Sequence, residues 1–519
     1  MNLASDRTSA ELTSALRRAD TYPHQVASSV TVYETHVSWV FLAGDFAYKV
    51  KKPLVTHFLD YSTLDQRRRY CEEEVRLDSR YASDLYLGVV PVTKVRGQYQ
   101  IGGDGEVVEY AVKMKRFAEG SLLSELLEAG RLPLSDVMGL AVTVAGFHHD
   151  AQVADRSAPW GSPHSVLENA LDNVRDLETF AESESFATKL ATIGEWTHQF
   201  FEKHQLRFSQ RRVGGFIREC HGDLHASNIV QWHDRLVPFD GIEFNDAFRW
   251  IDVLSDAAFL GMDLKFRGRP DLSHSFLNSY LEQTGDHASL PILRWYMVYR
   301  AMVRAKVAAI ISSQHPTQST QHIDALQDCR KHLDHARLHI QSPPPRLWIT
   351  HGVSGSGKTY GSEATVQRHA AIRLRSDVER KRHFGLQPDQ RPSEQMKRKL
   401  YCESANRATY NRLERLTRGI LRAGYSVVVD ATFLRQSMRD QFAQLAQRES
   451  VNFHILDFDA KESTLRKRVI DRNQNDNDAS DADVAVLESQ LRTREPLTPA
   501  ELNYVDAPTN FQPDPNEAS

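Results

Sequence analysis

The chain has 519 residues, of which 25% are charged and 41% hydrophobic, and a formal net charge of −4. That length exceeds the ~250 to 300 residues at which a single core stops growing, so two or three domains are expected, and the near-balanced charge gives no global pull toward nucleic acid or a membrane surface. Four scattered cysteines, Cys71, Cys220, Cys329 and Cys402, lack CxxC spacing; no window approaches 18 apolar residues and no apolar h-region follows Met1, so a cytoplasmic protein with reduced thiols and no membrane span is expected.

In chain order, residues 31–42 and 46–51 are β-branched or aromatic runs separated by Ala43-Gly44-Asp45, which predicts a hairpin. Residues 61–81 read as a helix and 87–95 and 107–117 as strands. From Ser121 to about 340 the pattern is helical, interrupted by the segment at His221 and a short strand at 236–239. The expectation is one domain over 1–340, with a small β-rich lobe at about 25–117 and a larger helical lobe at 118–340. Residues 341–345 end in three prolines, which cannot continue a helix and predict a linker. A second domain is expected over 346–505, with strands at 346–350, 427–430 and 454–458 and helices at 360–370 and 462–472. The aromatic-free stretch 471–483 reads as a mobile polar loop and 506–519 as a disordered tail.

Chemistry in the first domain centres on His221-Gly222-Asp223-Leu224-His225-Ala226-Ser227-Asn228. A phosphoryl-transfer loop needs an Asp to accept the proton of the acceptor hydroxyl and, five residues on, an Asn to bind a metal ion; Asp223 and Asn228 have that spacing. Asp240, after the 236–239 strand, completes a hard-oxygen set suited to Mg²⁺. His221 and His225 read as braces of this loop, His148-His149 as structural because adjacent histidines leave a helix on different sides, and Arg67-Arg68-Arg69 as a solvated helix face.

This eight-residue motif, followed by Phe239-Asp240, resembles the aminoglycoside phosphotransferase and choline kinase group, and the resemblance covers most of residues 25–340. It implies a bilobal α+β protein-kinase-like fold in which a strand lysine holds the α and β phosphates and pairs with a helix glutamate. Those positions fall on Lys49, in preference to Lys51, and on Glu74 among Glu72, Glu73 and Glu74. Asp252 falls where the group has a structural aspartate. The lysine strand is not preceded by GxGxxG, and Asp240 is followed by Gly241-Ile242 rather than Phe-Gly.

Gly352-Val353-Ser354-Gly355-Ser356-Gly357-Lys358-Thr359 is a GxxxxGKT phosphate loop between a predicted strand and helix. Glycines let backbone N–H groups turn toward phosphates, Lys358 reaches the β and γ phosphates, and Thr359 offers a hydroxyl to Mg²⁺. Asp377, in Leu374-Arg375-Ser376-Asp377, supplies a carboxylate, with helix N-capping as its alternative role. Val427-Val428-Val429-Asp430 reads as a buried parallel strand that ends in another carboxylate. The order of these elements is similar to the polynucleotide 5′-kinase and gluconate kinase branch of P-loop kinases, an α/β fold with a parallel sheet. That resemblance implies Asp377 as base or acceptor contact, Arg380 as substrate contact, Asp430 as a metal-site carboxylate, and Arg468 and Arg472 as lid arginines.

The whole reads as two Mg²⁺- and ATP-dependent phosphotransferase domains in one chain, the first acting on a hydroxyl of a small molecule. Two other readings remain: one domain is a nucleotide-binding regulatory module, or the second is a nucleic-acid end kinase, permitted by Arg373, Arg375, Arg380, Lys381 and Arg382 but ranked below a small-molecule acceptor.

Overall fold

The computed structural model describes residues 3–26, 29–56, 59–181, 183–475 and 482–506. Of the polar loop expected at 471–483, residues 471–475 instead end the helix Glu462–Asn475 and 476–481 lie outside the described residues, as does the tail expected at 506–519 beyond Asp506. The chain forms two compact units, Met1–Asp263 with Trp295–Arg337 and Leu264–Arg294 with Leu338–Ser519.

In the first unit, α1 (Leu3–Leu16) precedes a six-stranded antiparallel sheet built from β1 (Thr31–Glu34), β2 (Ser38–Ala43), β3 (Phe46–Lys51), β4 (Tyr86–Val95), β5 (Gln98–Ile101) and β6 (Glu106–Lys115), in the order β1-β2-β3-β6-β4-β5. Residues 31–42, expected as one strand, are two: the Ser38 N–H donates to Thr35 Oγ1 at 3.0 Å, and this tight turn folds β1 onto β2. Strand β5 has no signal in the sequence strong enough to separate it from β4. Leu12 and Leu16 pack with Phe41, Tyr48, Val50, Val92 and Ala111 in one core of this lobe.

Helix α2 (Leu64–Asp78) starts at a capping box, Thr63 with Gln66, and buries Arg67, Cys71, Glu74, Leu77 and Asp78. The solvated face expected for the three arginines holds for Arg68 and Arg69 alone. Arg67 is buried and donates to Glu109 at 2.8 Å and to the Tyr61 carbonyl at 2.9 Å, because its spacing from Cys71 and Glu74 puts it on the inner face.

The helical lobe comprises α3 (Leu123–Glu128), α4 (Leu134–Asp150), α5 (Pro163–Glu178) and α6 (Glu184–Val213), then short pairs β7 (Ile217–Glu219), β8 (Ile229–Trp232) and β9 (Arg235–Pro238), helix α7 (Asp246–Arg249), β10 (Trp250–Asp252) and α8 (Val253–Phe266). β8 pairs with β9, and β10 with β7. Val230 and Val237 join Cys71, Val112 and Met114 in a core that ties the two lobes together. This is the bilobal α+β arrangement expected from the His221 motif.

Helix α9 (Pro270–Thr284) belongs to the second unit, whereas most of α10 (Leu290–Ser313) and α11 (Thr320–Ile340) belongs to the first. The division is therefore not the single cut near residue 340 that the proline run suggests. The second unit is a five-stranded parallel sheet, β12-β13-β11-β14-β15, from β11 (Arg346–His351), β12 (Ile372–Arg375), β13 (Val427–Asp430), β14 (Asn452–Asp457) and β15 (Val505–Asp506). Its helices are α12 (Lys358–His369), α13 (Ser376–His383), α14 (Glu394–Leu400), α15 (Glu403–Arg422), α16 (Gln436–Arg448), α17 (Glu462–Asn475) and α18 (Val484–Thr493). All four residues of β13 are buried, as a strand covered on both faces requires. The reason α9 packs here is at the sheet edge. Asn278 donates from Nδ2 to the Ala371 carbonyl at 3.0 Å and accepts the Arg373 N–H on Oδ1 at 2.7 Å, so its amide pairs with edge strand β12 as a neighbouring strand would.

Candidate active sites

In the first unit, strand alternation puts Lys49 and Lys51 on one face of β3, both aimed at α2. Lys49 donates to Glu74 at 2.9 Å and also pairs with Asp240; Lys51 donates to the other Glu74 oxygen at 2.7 Å and pairs with Glu243. Tyr61 donates its hydroxyl to Glu243. Burial opposes charge in this cluster, but Asp240 and Glu74 hold the Lys49 ammonium well above its ordinary pKa, and the two lysines hold Glu74 down to about 2. The sequence pairing of Lys49 with Glu74 is thus present in space; the second pair, Lys51 with Glu243, was not anticipated.

The loop after β7 carries the proposed base. Gly222 sits at φ +86°, where a Cβ would lie 2.7 Å from the Phe248 carbonyl oxygen, so this turn needs glycine. Asp256 of α8 pins the loop by accepting the N–H groups of His221 and Gly222, each at 3.0 Å. Asp252 instead pairs with Arg211 at 2.7 Å and accepts the Leu254 N–H at 2.9 Å, a structural role. His148 is buried beside Asp256 at 3.2 Å while His149 is exposed, as adjacent helical positions dictate. His148, Cys220 and Asp256 have ligand atoms within 4.8 Å of one another, but the Asp256 oxygens are already spent on the loop amides, and the trio is a brace.

His221 joins the base to the metal-site segment. Its Nδ1 accepts the Asp223 N–H at 3.3 Å and its Nε2–H donates to the Phe239 carbonyl at 2.9 Å. Burial lowers its pKa, so the ring is a neutral brace rather than a proton carrier. Asn228 donates to the Asp223 carboxylate at 2.9 Å and to the Asp223 carbonyl at 3.1 Å. Asp223 has a side chain one-third exposed; burial raises its pKa, but His225, at 3.3 Å, with Arg304 and His221 outweighs it and holds the carboxyl well below the usual range. Asp240 adopts φ +62°, a strained conformation for a residue with a side chain, and its N–H donates to the Tyr86 hydroxyl at 3.1 Å. The carboxylate and amide oxygens of Asp240 and Asn228 fit a hard cation, and Asp240 already carries a positive charge, the Lys49 ammonium.

In the second unit the phosphate loop runs from β11 into α12. Gly352 has φ +144°, and a Cβ there would meet the Phe458 carbonyl oxygen at 2.4 Å. Val353 and Ser354 follow; Gly355 and Gly357 also take positive φ, and the Ser356 hydroxyl lies 3.5 Å from the Lys358 ammonium, which donates to the Val353 carbonyl at 2.7 Å. The Thr359 hydroxyl donates to Asp430 at the end of β13 at 2.7 Å, which brings two oxygen ligands of the kind Mg²⁺ takes to one point. Asp377 does not cap its helix: the N-cap is Arg375, without a side-chain hydrogen bond. It instead accepts from Arg380 at 2.6 Å, and Arg380 also donates to Asn406 at 3.2 Å over the Tyr401 ring. Arg468 donates to the Gly355 carbonyl at 3.3 Å. Arg472 lies in α17, with its side chain outside the described residues.

Ser354, Gly355, Gly357, Lys358, Thr359, Asp377, Arg380, Asp430 and Arg468 line one cavity of about 660 Å³, whose walls also include Tyr401, Asn406, Tyr410, Arg435 and Gln490. Gln490 of α18 accepts the Ser354 N–H at 2.7 Å. It belongs to no contiguous motif, so sequence reasoning had nothing by which to find it. The same holds for Asn406 and Tyr401. Among the described residues no helix is long and apolar enough to cross a membrane, and none of the four cysteines is in a disulfide.

The family model described as an AAA domain matches residues 347–497. The uncharacterized protein Rv2004c of Mycobacterium tuberculosis is 30% identical over 473 residues, 90% of this chain and 91% of that protein. Among solved structures, a choline/ethanolamine kinase family protein from Mesorhizobium loti is 12% identical, with a TM-score of 0.37, over 63% of this chain and 99% of its own. A gluconokinase from Sinorhizobium meliloti is 20% identical, with a TM-score of 0.22, over 32% of this chain and 82% of its own.

Proposed function

The chain belongs to the family of this mycobacterial relative along nine-tenths of its length, and from that premise we propose that it is a two-site phosphotransferase in which each unit uses Mg²⁺ and ATP. The observation that carries this reading is the convergence, through His221, of Lys49, Glu74 and Asp240 with Asp223 and Asn228, five residues drawn from separate parts of the chain.

At the first site Lys49, held by Glu74, would clamp the α and β phosphates, and Asn228 and Asp240 would hold magnesium, which neutralises phosphate charge when bound. The acceptor hydroxyl oxygen forms a bond to the γ phosphorus as the bond from that phosphorus to the bridging oxygen of ADP breaks. The hydroxyl proton passes to the Asp223 carboxylate. Because Asp223 is held at a low pKa, it is a weak base that orients the hydroxyl and takes its proton late.

At the second site Lys358 and the loop amides from Gly355 to Thr359 would hold phosphate, and Thr359 with Asp430 the metal. Asp377 would face the acceptor, with Arg380 and Arg468 as cations over the transferred group. Both acceptors are read as small molecules in a reducing, cytoplasmic setting.

The test is ADP release by the full chain with Asp223→Ala and Lys358→Ala made separately. Each substitution should remove its own share of turnover and leave the other's, with the double variant inactive. Wild-type turnover in both single variants would defeat the proposal.

A further inference from the structure

Asp223 is approached from the helical lobe by Arg304, a cation to which the reaction above gives no contact with either substrate. Arg300 and Arg304 stand one turn apart on α10 and face the catalytic loop. Arg300 is committed to structure, donating to the Gly222 carbonyl at 3.0 Å and to the Ser255 hydroxyl at 3.1 Å. Among the described residues Arg300 Nη2 has no partner, but Arg304 has no acceptor oxygen at all. Its Nη1 lies 3.3 Å from His225 Nε2, and its buried Nε has no hydrogen-bond partner.

The state of His225 decides what that contact is. His225 Nδ1 accepts the Ser227 N–H at 3.2 Å, so in the neutral ring the proton sits on Nε2, where it points to the Asp223 carboxylate at 3.3 Å. Arg304 therefore meets a nitrogen that already bears hydrogen, and it gains no acceptor there. The acids in the neighbourhood have other work: Asp263 accepts the Ala226 N–H at 2.8 Å, and Asp328 pairs with His332 at 3.5 Å. Among the described residues no carboxylate forms an ion pair with Arg304. The charges of Asp223 and Asp328 act on this half-buried guanidinium without bonding it, its Nε lacks an acceptor, and a guanidinium fork matches a carboxylate or phosphate.

The ATP phosphates and their metal are already assigned to Lys49, Asp240 and Asn228, whereas Arg304 reaches Asp223 through His225. The acceptor hydroxyl must sit against Asp223 itself, so its substituents are the groups that reach Arg304. Resting on the reading that this site phosphorylates a hydroxyl, we propose that its acceptor carries an acidic group, a carboxylate or a phosphate ester, a few bonds from that hydroxyl, and that Arg304 binds this group. An amine acceptor would bring a second positive charge against the guanidinium.

The experiment uses the full chain with Lys358→Ala, which silences the second site. ADP release is measured with three acceptor sets at equal concentration: glycerate and glucose 6-phosphate, glycerol and glucose, choline and kanamycin. The acidic set alone should stimulate, and which of its two members does so separates carboxylate from phosphate. Arg304→Met should raise the KM of that acceptor about 10- to 100-fold, the worth of a charge-assisted hydrogen bond, and leave the KM for ATP unchanged. Arg304→Lys, which keeps the charge but not the fork, should shift it less in the same direction and serves if the methionine variant does not fold. Stimulation by neutral or cationic acceptors equal to the acidic set overturns the inference. So does an Arg304 effect on ATP rather than on acceptor, or silence of all three sets while Asp223-dependent ATP hydrolysis persists. Loss of any Asp223 dependence instead removes the phosphotransferase reading beneath it.

Discussion

The two phosphate sites hold their lysines by opposite means. At the first, Lys49 and Lys51 are gripped by carboxylates that arrive from 23 to 25 and about 190 residues away, in a buried network of charges. At the second, Lys358 rests on a carbonyl five residues back, inside a loop shaped by glycine backbone. The first site therefore depends on charge balance in a desolvated space, and the second on backbone conformation. Substitutions that disturb one property should leave the other site standing.

The largest effect is expected at Lys51, which is fully buried between Glu74 and Glu243. Lys51→Met leaves two buried carboxylates to share one ammonium, and breaking a buried pair in this way costs about 3–5 kcal/mol. Denaturant unfolding followed on the first unit's transition should show it. Lys49→Met should cost less stability, because its partner Asp240 has a side chain 41% exposed and can turn to water, yet it should lose more nucleotide affinity. Equal stability losses from the two lysines would break the contrast drawn for this site.

Gly352→Ala is the matching test at the second site. Any side chain there combines a disfavoured φ with a Cβ only 2.4 Å from the Phe458 carbonyl, and the backbone strain alone costs roughly 1–3 kcal/mol. Titration with a nucleotide analogue in a Lys49→Met background, which weakens the first site, should show weakened binding, while Lys49-dependent binding in a Lys358→Ala background stays intact.

What could be read from the sequence follows the same contrast. The phosphate loop was legible because eight consecutive residues carry its mechanism, and so was the Asp223 to Asn228 spacing. Lys49 and Glu74 were reached by strand alternation and motif position. Glu243 and Lys51 were not paired, because nothing local in either segment marks a partner so far along the chain. Asp252 was assigned the structural role in the 251–254 stretch, whereas Asp256, one turn on, is the residue that holds the catalytic loop. Arg67 looked solvated because three arginines in a row hide the helical period that turns one of them inward. Asn278 was invisible for a stronger reason: an asparagine in a helix gives no sign that a strand edge elsewhere needs its amide. Asn278→Ala should leave the Arg373 N–H and Ala371 carbonyl unpaired, cost about 1–3 kcal/mol, and appear in the second unit's unfolding transition alone.

The smallest effect expected returns to α2, where two carboxylates one turn apart respond to pH with opposite signs. Glu74 is lowered from 4.5 to about 2 by its lysines, so it contributes stability above pH 4.5 that is lost as pH falls toward 2. Asp78 is raised well above 3.8, first by burial and then by repulsion from Glu74. One of its oxygens accepts the Gly241 N–H at 2.9 Å, and the other is buried without a partner. As pH rises past 3.8 the unfolded chain ionises this group before the folded one does, so Asp78 subtracts stability over that range. Asparagine keeps the acceptor for Gly241 and cannot ionise. Asp78→Asn should therefore match the wild type near pH 4 and gain on it toward pH 7, by roughly 1 kcal/mol for each unit of pKa difference. Unfolding curves at both pH values would show this divergence, and parallel behaviour of the two proteins would mean that the Asp78 carboxyl is ionised in the fold, with Lys49 rather than Glu74 governing it.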